Sequence, residues 1–171
     1  MQYAKIRDLI KTGDMLEWSS PSILGKTIRL FTGRDVNHTS LAISFDDYFK
    51  DGVNHKFVLE AEAGGIELNL ISKLLTDYKG KCYWYQLKPE LDSYRQSIGS
   101  YALLQIGTKY DFGSLLKNAV SRVNADAKKL FCSEYYYMAL CEAGILSKTK
   151  APRPGEFVQY GIHLPRVRIE L

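Results

Sequence analysis

Thr39, Leu41, Ile43 and Phe45 alternate with Ser40, Ala42 and Ser44. A period of two over seven residues predicts a β-strand. Four more strands are predicted: Met15 to Trp18, Lys56 to Glu62, Ile66 to Leu70 after the Gly64-Gly65 turn, and Lys81 to Leu87. Pro89 ends the last of these. Around them the period changes. Met1 to Lys11 reads as an amphipathic helix ended by Gly13-Asp14. Ser19-Ser20-Pro21-Ser22 reads as a helix cap with proline at an early helical position. That helix is expected from about Ser22 to Phe31, stopping at Gly33. In the second half Leu91, Tyr94, Ile98, Tyr101, Ala102 and Gln105-Ile106 keep helical spacing up to Gly107. Asp111 is placed to cap a further helix reaching about Val123. Another begins near Phe131 and ends at Gly144. Pro152, Pro154 and Pro165 predict an extended tail. Strands followed by helices define an α+β fold, with helices packed on one side of an antiparallel sheet.

Composition narrows the classes. A chain of 171 residues with 46% hydrophobic and 25% charged residues is expected to form one domain over 1–171 with a real core. The net charge of +4 is scattered, and Lys128-Lys129 is too short to be a nucleic-acid stripe, so no nucleic-acid partner is expected. No apolar run approaches the roughly 20 residues needed to span a membrane. The first residues lack the apolar core and cleavage site of a secretion signal, so a cytoplasmic location is expected. A phage- or virus-encoded chain fits the same features. Three cysteines (Cys82, Cys132, Cys141), three histidines and no Cys-x-x-Cys argue against a disulfide framework and a zinc site. No metal and no cofactor is expected. The 12 tyrosines suit either a groove wall or a partly buried surface layer.

Two residues carry the candidate chemistry. Cys132, in Leu130-Phe131-Cys132-Ser133-Glu134-Tyr135, stands where a helix is expected to start, and a positive helix terminus favours a thiolate. Against that, free cysteine is usually a small buried hydrophobe. His38 opens the alternating strand. A hairpin centred on Phe49 would pair residues whose numbers sum to 98, setting His38 opposite Glu60 with Cβ atoms about 5 Å apart. A carboxylate so placed fixes one imidazole nitrogen and leaves the other to take a proton. A turn at Asp51-Gly52 would shift this register. Glu62 is on the same face as Glu60 and is the fallback partner. His55, in a polar loop, and His163, near the end of the sequence, are weaker bases.

Several short strings, in order, resemble the permuted NlpC/p60 proteins, including their YiiX-like branch. These are Gly13-Asp14-Met15-Leu16, Asn37-His38-Thr39-Ser40-Leu41-Ala42-Ile43, Val58-Leu59-Glu60-Ala61, Gly107-Thr108-Lys109-Tyr110-Asp111-Phe112, Phe131-Cys132-Ser133-Glu134-Tyr135 and Pro154-Gly155-Glu156-Phe157. Thr39 and Lys109 depart from the commoner residues at their places. The resemblance implies a circularly permuted papain-like fold with Cys132 as nucleophile, His38 as base and Glu60 as orienting acid. It also implies Tyr110 beside the nucleophile at the oxyanion site, with the Cys132 N–H as a second donor. Order along the chain does not matter, because such a triad is defined by geometry. The expected reaction is cleavage of an amide or ester through a thioester on Cys132. The expected partner is a small-molecule, peptidoglycan-type peptide or lipid-like acyl substrate. The aromatic strand Tyr83-Trp84-Tyr85 tilts the expectation towards a lipid. Two rivals share the residues: an acyltransferase resembling the lecithin–retinol acyltransferase relatives, and a binding module without activity.

Overall fold

The computed structural model describes residues 1–45, 54–62, 65–108 and 127–171. Six strands form the sheet: β1 (Met15–Ser19), β2 (His38–Ser44), β3 (Lys56–Glu62), β4 (Gly65–Leu70), β5 (Lys81–Tyr85) and β6 (Val167–Ile169). Their order is β4-β3-β2-β1-β5-β6, with every neighbouring pair antiparallel. The helices are α1 (Tyr3–Ile6), α2 (Ile23–Thr32), α3 (Ile71–Asp77), α4 (Arg95–Leu104) and α5 (Ala127–Glu142). The α+β class and the antiparallel sheet agree with the sequence pattern.

Both faces of the sheet are covered, not one. Met15, Leu41, Ile43, Leu59 and Tyr85 pack against Ile98 of α4 and Tyr135, Tyr136 and Leu140 of α5. On the other face Leu16, Trp18, Ala42, Val58 and Trp84 pack against Ile6 of α1, Ile10 and Ile71 of α3. Ser40 made β2 look half-solvated, yet it is fully buried. Its hydroxyl accepts the Trp18 indole N–H at 2.8 Å, which removes the penalty of burying it. Trp84 is likewise core, and its Nε1–H donates to Asp14 at 2.8 Å. Tyr83 lies under the Arg166 guanidinium, 4.2 Å from its ring centre. The aromatic strand therefore does not form the apolar groove expected of it.

Several boundaries move for local reasons. The helix expected over Met1 to Lys11 shortens to α1 and a 3-10 turn at Arg7–Leu9. α3 is seven residues long, too short to show a helical period, and β6 is a three-residue edge strand hidden among prolines. The helix expected from Leu91 starts as a 3-10 turn at Pro89–Tyr94 and becomes α4 only at Arg95. The capped helix expected after Asp111 lies outside the described residues. α2 behaves as read: Ser22 Oγ accepts the Gly25 N–H at 3.0 Å, and Gly33 closes it with φ 65°. The two ends of the sheet's outer edge also meet. Tyr3 N–H donates to the Glu170 carbonyl at 2.6 Å, and Glu170 N–H to the Met1 carbonyl at 2.9 Å.

Candidate active site

Asn37 sets where β2 begins. Its Oδ1 accepts the Ser20 N–H at 2.6 Å and Arg29 Nη1 at 3.2 Å, tying the end of β1, the α2 helix and the start of β2 together. Gly25 lets α2 approach this clamp, because a Cβ there would stand 2.7 Å from the Ser20 carbonyl oxygen. The next residue after the clamp is His38.

The β2–β3 ladder pairs Leu41 with Leu59 and Ala42 with Val58, so opposed numbers sum to 100 and not to the expected 98. Extended to its end, this register puts His38 opposite Glu62. A shift of two keeps side-chain parity, so His38 and Glu60 stay on one face as diagonal neighbours. Diagonal spacing is within reach of these longer side chains, and His38 Nε2 lies 2.9 Å from Glu60 Oε1. Glu60 is nearly buried at 6% exposure and His38 is 21% exposed, so water competes little for the pair. The fallback Glu62 has a side chain outside the described ones. Glu60 has a second partner that sequence reading missed: Asn69 Nδ2 donates to Oε2 at 3.3 Å. The signal was present in the Gly64-Gly65 hairpin. Pairing Glu62 with Gly65 sets Val58 opposite Asn69, hence Asn69 diagonal to Glu60.

Cys132 is buried and lies within hydrogen-bonding reach of His38. Burial is the largest influence on the imidazole and pushes its pKa down. The adjacent Cys132 and then Glu60 outweigh it, and His38 ends well above its ordinary value. α5 starts at Ala127, in a run of strong helix formers, and not near Phe131. Cys132 is therefore in the second turn. The helix terminus acts mainly within the first turn, and in the second turn backbone N–H groups enter the helix ladder. Both the helix-start argument for a thiolate and the Cys132 N–H as an oxyanion donor are corrected on this ground. Tyr110 lies outside the described residues. None of the three cysteines is in a disulfide, and all three are buried. Burial raises the pKa of Cys82 well above the usual thiol range and raises that of Cys141.

The tyrosines of α5 fix its placement over the sheet. Tyr135 donates to the Ala102 carbonyl at 2.8 Å, Tyr136 to the Gly13 carbonyl at 3.0 Å and Tyr137 to the Ser147 carbonyl at 2.6 Å. All three rings are buried core, neither groove wall nor surface layer. His55 immediately precedes β3, at the opposite end of the β2–β3 ladder from His38. His163 is held elsewhere, with Nε2 2.8 Å from the Tyr136 hydroxyl. That hydroxyl gives its only proton to the Gly13 carbonyl, so His163 Nε2 is the donor and Nδ1 carries the lone pair. Burial lowers the His163 pKa to about 4, consistent with a neutral ring.

Glu17 is a second buried carboxyl outside this constellation. Its Oε1 accepts the Gly155 N–H at 2.6 Å, while Oε2 has no partner among the described residues. Burial raises its pKa from 4.5 to about 7. The folded state then holds a proton that the unfolded state releases, so stability falls as pH rises from about 4.5 through about 7. The difference is worth about 3 kcal/mol. Chemical denaturation at pH 5 and pH 8 should show Glu17→Gln gaining on the original chain by about that amount at the higher pH. An unchanged gap between the two proteins would show that Glu17 does not titrate in this range.

The comparisons agree at the level of fold. No family model matches the chain, and no curated protein matches it. Among solved structures it is similar to the metalloprotein YiiX of Escherichia coli O157:H7, with a TM-score of 0.57 at 23% identity. The match covers 78% of this chain and 66% of the YiiX chain, so this chain spans just under two thirds of that relative's length. The chain thus has a YiiX-like α+β fold.

Proposed function

We propose that the chain is a cysteine hydrolase of the permuted papain-like (NlpC/p60) type. It cleaves an amide or ester through a thioester on Cys132, with His38 as base and Glu60 orienting the ring. The observation that carries this reading is the placement of one imidazole between a buried carboxylate at 2.9 Å and a cysteine thiol. Glu60 engages Nε2, so Nδ1 is the nitrogen left for the thiol. The proton of Cys132 passes to His38, Sγ attacks the acyl carbon, and the imidazolium returns the proton to the leaving amine or alcohol. Water, activated by the same imidazole, then releases the acid. The raised pKa of His38 favours the imidazolium needed for the second transfer. Asn69 anchors the far oxygen of Glu60 and holds the carboxylate in line. YiiX is described as a metalloprotein. Among the described residues here no group of three or more His, Cys, Asp or Glu side chains is placed to hold a metal ion, and no step of this reading uses one.

Thiol selectivity tests the reading without a substrate. Limiting iodoacetamide at about pH 6 keeps ordinary thiols protonated. Cys132 should be alkylated first, because only it has His38 beside it, and His38→Ala should slow that labelling. Access alone predicts another order, since Cys141 is 9% exposed and Cys132 only 2%. Equal labelling of Cys82 and Cys132 by mass spectrometry, indifferent to the His38 change, would favour a binding module without activity.

A further inference from the structure

α2 leaves two aliphatic side chains in water. Gly25 and Arg29, four residues apart on one face, point inward. Gly25 is buried, and Arg29 donates to the Ser20 carbonyl and to Asn37. Ile23 and Leu30, two turns apart on the opposite face, are 86% and 82% exposed. A globular protein normally puts its aliphatic stripe against the core and its arginine in water. Here the clamp at Asn37 takes Arg29, and Ile23 and Leu30 are left outside. The charged residues from Ile23 to Arg34 are all cations. Lys26 is exposed beside it, Arg34 is exposed just past the helix end, and α2 contains no acidic residue. Asp35, the nearest acid in the chain, is occupied by Arg166 through two hydrogen bonds at 3.0 and 2.7 Å.

We propose that the outward face of α2 docks on an anionic lipid bilayer, with Ile23 and Leu30 entering the interface and Lys26 and Arg34 facing lipid headgroups. Ten residues are far too few to cross a membrane, so the helix lies in the surface plane. Ile23 and Leu30, with the cations Lys26 and Arg34 beside them, match that environment and not a neutral or cationic protein surface. The position has a catalytic consequence. The inward face of the same helix grips Asn37, and His38 follows directly. Docking therefore holds the imidazole site about one helix diameter, roughly 10 Å, from the bilayer surface and makes a lipid acyl chain the substrate class brought near it. This last step rests on the acyl-transfer reading; the docking does not.

The test uses the full chain and vesicles of phosphatidylcholine with 30 mol% phosphatidylglycerol, at about 0.1 M salt so that exposed charges are partly screened. Cosedimentation should show binding to these vesicles. Lys26→Gln with Arg34→Gln should weaken it about 25-fold, from roughly fivefold per cation. Ile23→Asp with Leu30→Asp should weaken it at least about tenfold, with a thermal unfolding curve confirming the fold. Cys132→Ala should bind like the original chain, so a failed acyl-transfer reading leaves this result intact. No binding by the original chain overturns the proposal, as does undiminished binding by the Ile23/Leu30 variant. So does a dimer, seen by light scattering, that the same variant abolishes, because the stripe would then be covered by a second copy.

Discussion

Replacing Cys132 by alanine should reduce acyl-transfer turnover by roughly 10³-fold or more while leaving the far-ultraviolet circular dichroism unchanged. Removal of Sγ deletes the atom that would form the thioester in the proposed mechanism, and alanine fills nearly the same buried space. His38→Ala should cost almost as much, because nucleophile and base act as a unit and their losses do not add. Glu60→Gln should cost less. It keeps the size of the group and a hydrogen bond to the ring, and removes the charge that helps hold the His38 pKa up. The alkaline limb of the rate profile should therefore move to lower pH in Glu60→Gln, since the imidazolium is lost earlier. Substrates are screened among small peptide amides and acyl esters. Full turnover by Cys132→Ala on any of them would remove the mechanism. A His38→Ala loss without any change of pH profile in Glu60→Gln would remove Glu60 from it.

Asp14→Ala should be the most damaging substitution for stability. The Asp14 carboxylate is fully buried and collects four donors. They are Arg95 Nη1 at 2.7 Å, Trp84 Nε1 at 2.8 Å and the main-chain N–H groups of Leu87 at 3.0 Å and Lys11 at 3.1 Å. Removing one member of a buried ion pair leaves its partner uncompensated, at a cost of about 3–5 kcal/mol. Arg95 also donates to the Thr12 and Leu87 carbonyls at 2.7 and 3.0 Å, so it cannot swing out to water without breaking those bonds. For a chain of this size the loss corresponds to a midpoint lowered by roughly 10 °C or more. Thermal unfolding followed by circular dichroism measures it, and a midpoint within about 2 °C of the original would show that the cluster contributes no net stability. The Gly-Asp string thus has a structural task. Gly13 takes φ 89° and turns the chain into β1, and a Cβ there would come within 3.1 Å of Ile98.

The strands were legible because period two survives in short windows: β3 occupies the residues expected of it, and β1 and β2 differ from the reading by about one residue at their ends. The neighbourhood of His38 and Glu60 was legible despite a wrong register, because parity is all that a same-face argument needs. What could not be read depends on contacts far apart in the chain. Ser40 looks polar until Trp18 is known to lie over it. The burial of Arg29 in the clamp depends on Ser20 and Asn37, which flank α2 on either side. Cys132 stands further into α5 than the expected start near Phe131 implies, because Ala127 to Leu130 also favour helix. That difference changed the electrostatic reason offered for the thiol, while its nearness to His38 rests on how α5 crosses β2.

The bonding of Tyr3 and Met1 to Glu170 has a consequence for synthesis. β5 has β1 on one side, and among the described residues its other edge pairs with β6. Until residues 167–169 leave the ribosome, the β5 edge presents unpaired main-chain groups, an invitation to pair with another chain. The nascent sheet can close early around β1 to β5, but the β5–β6 seam joins segments far apart in sequence and must form later. Slow release, or loss of residues 167–169, would therefore show first as association of nascent chains through β5, before any effect on the pairing of His38 with Glu60.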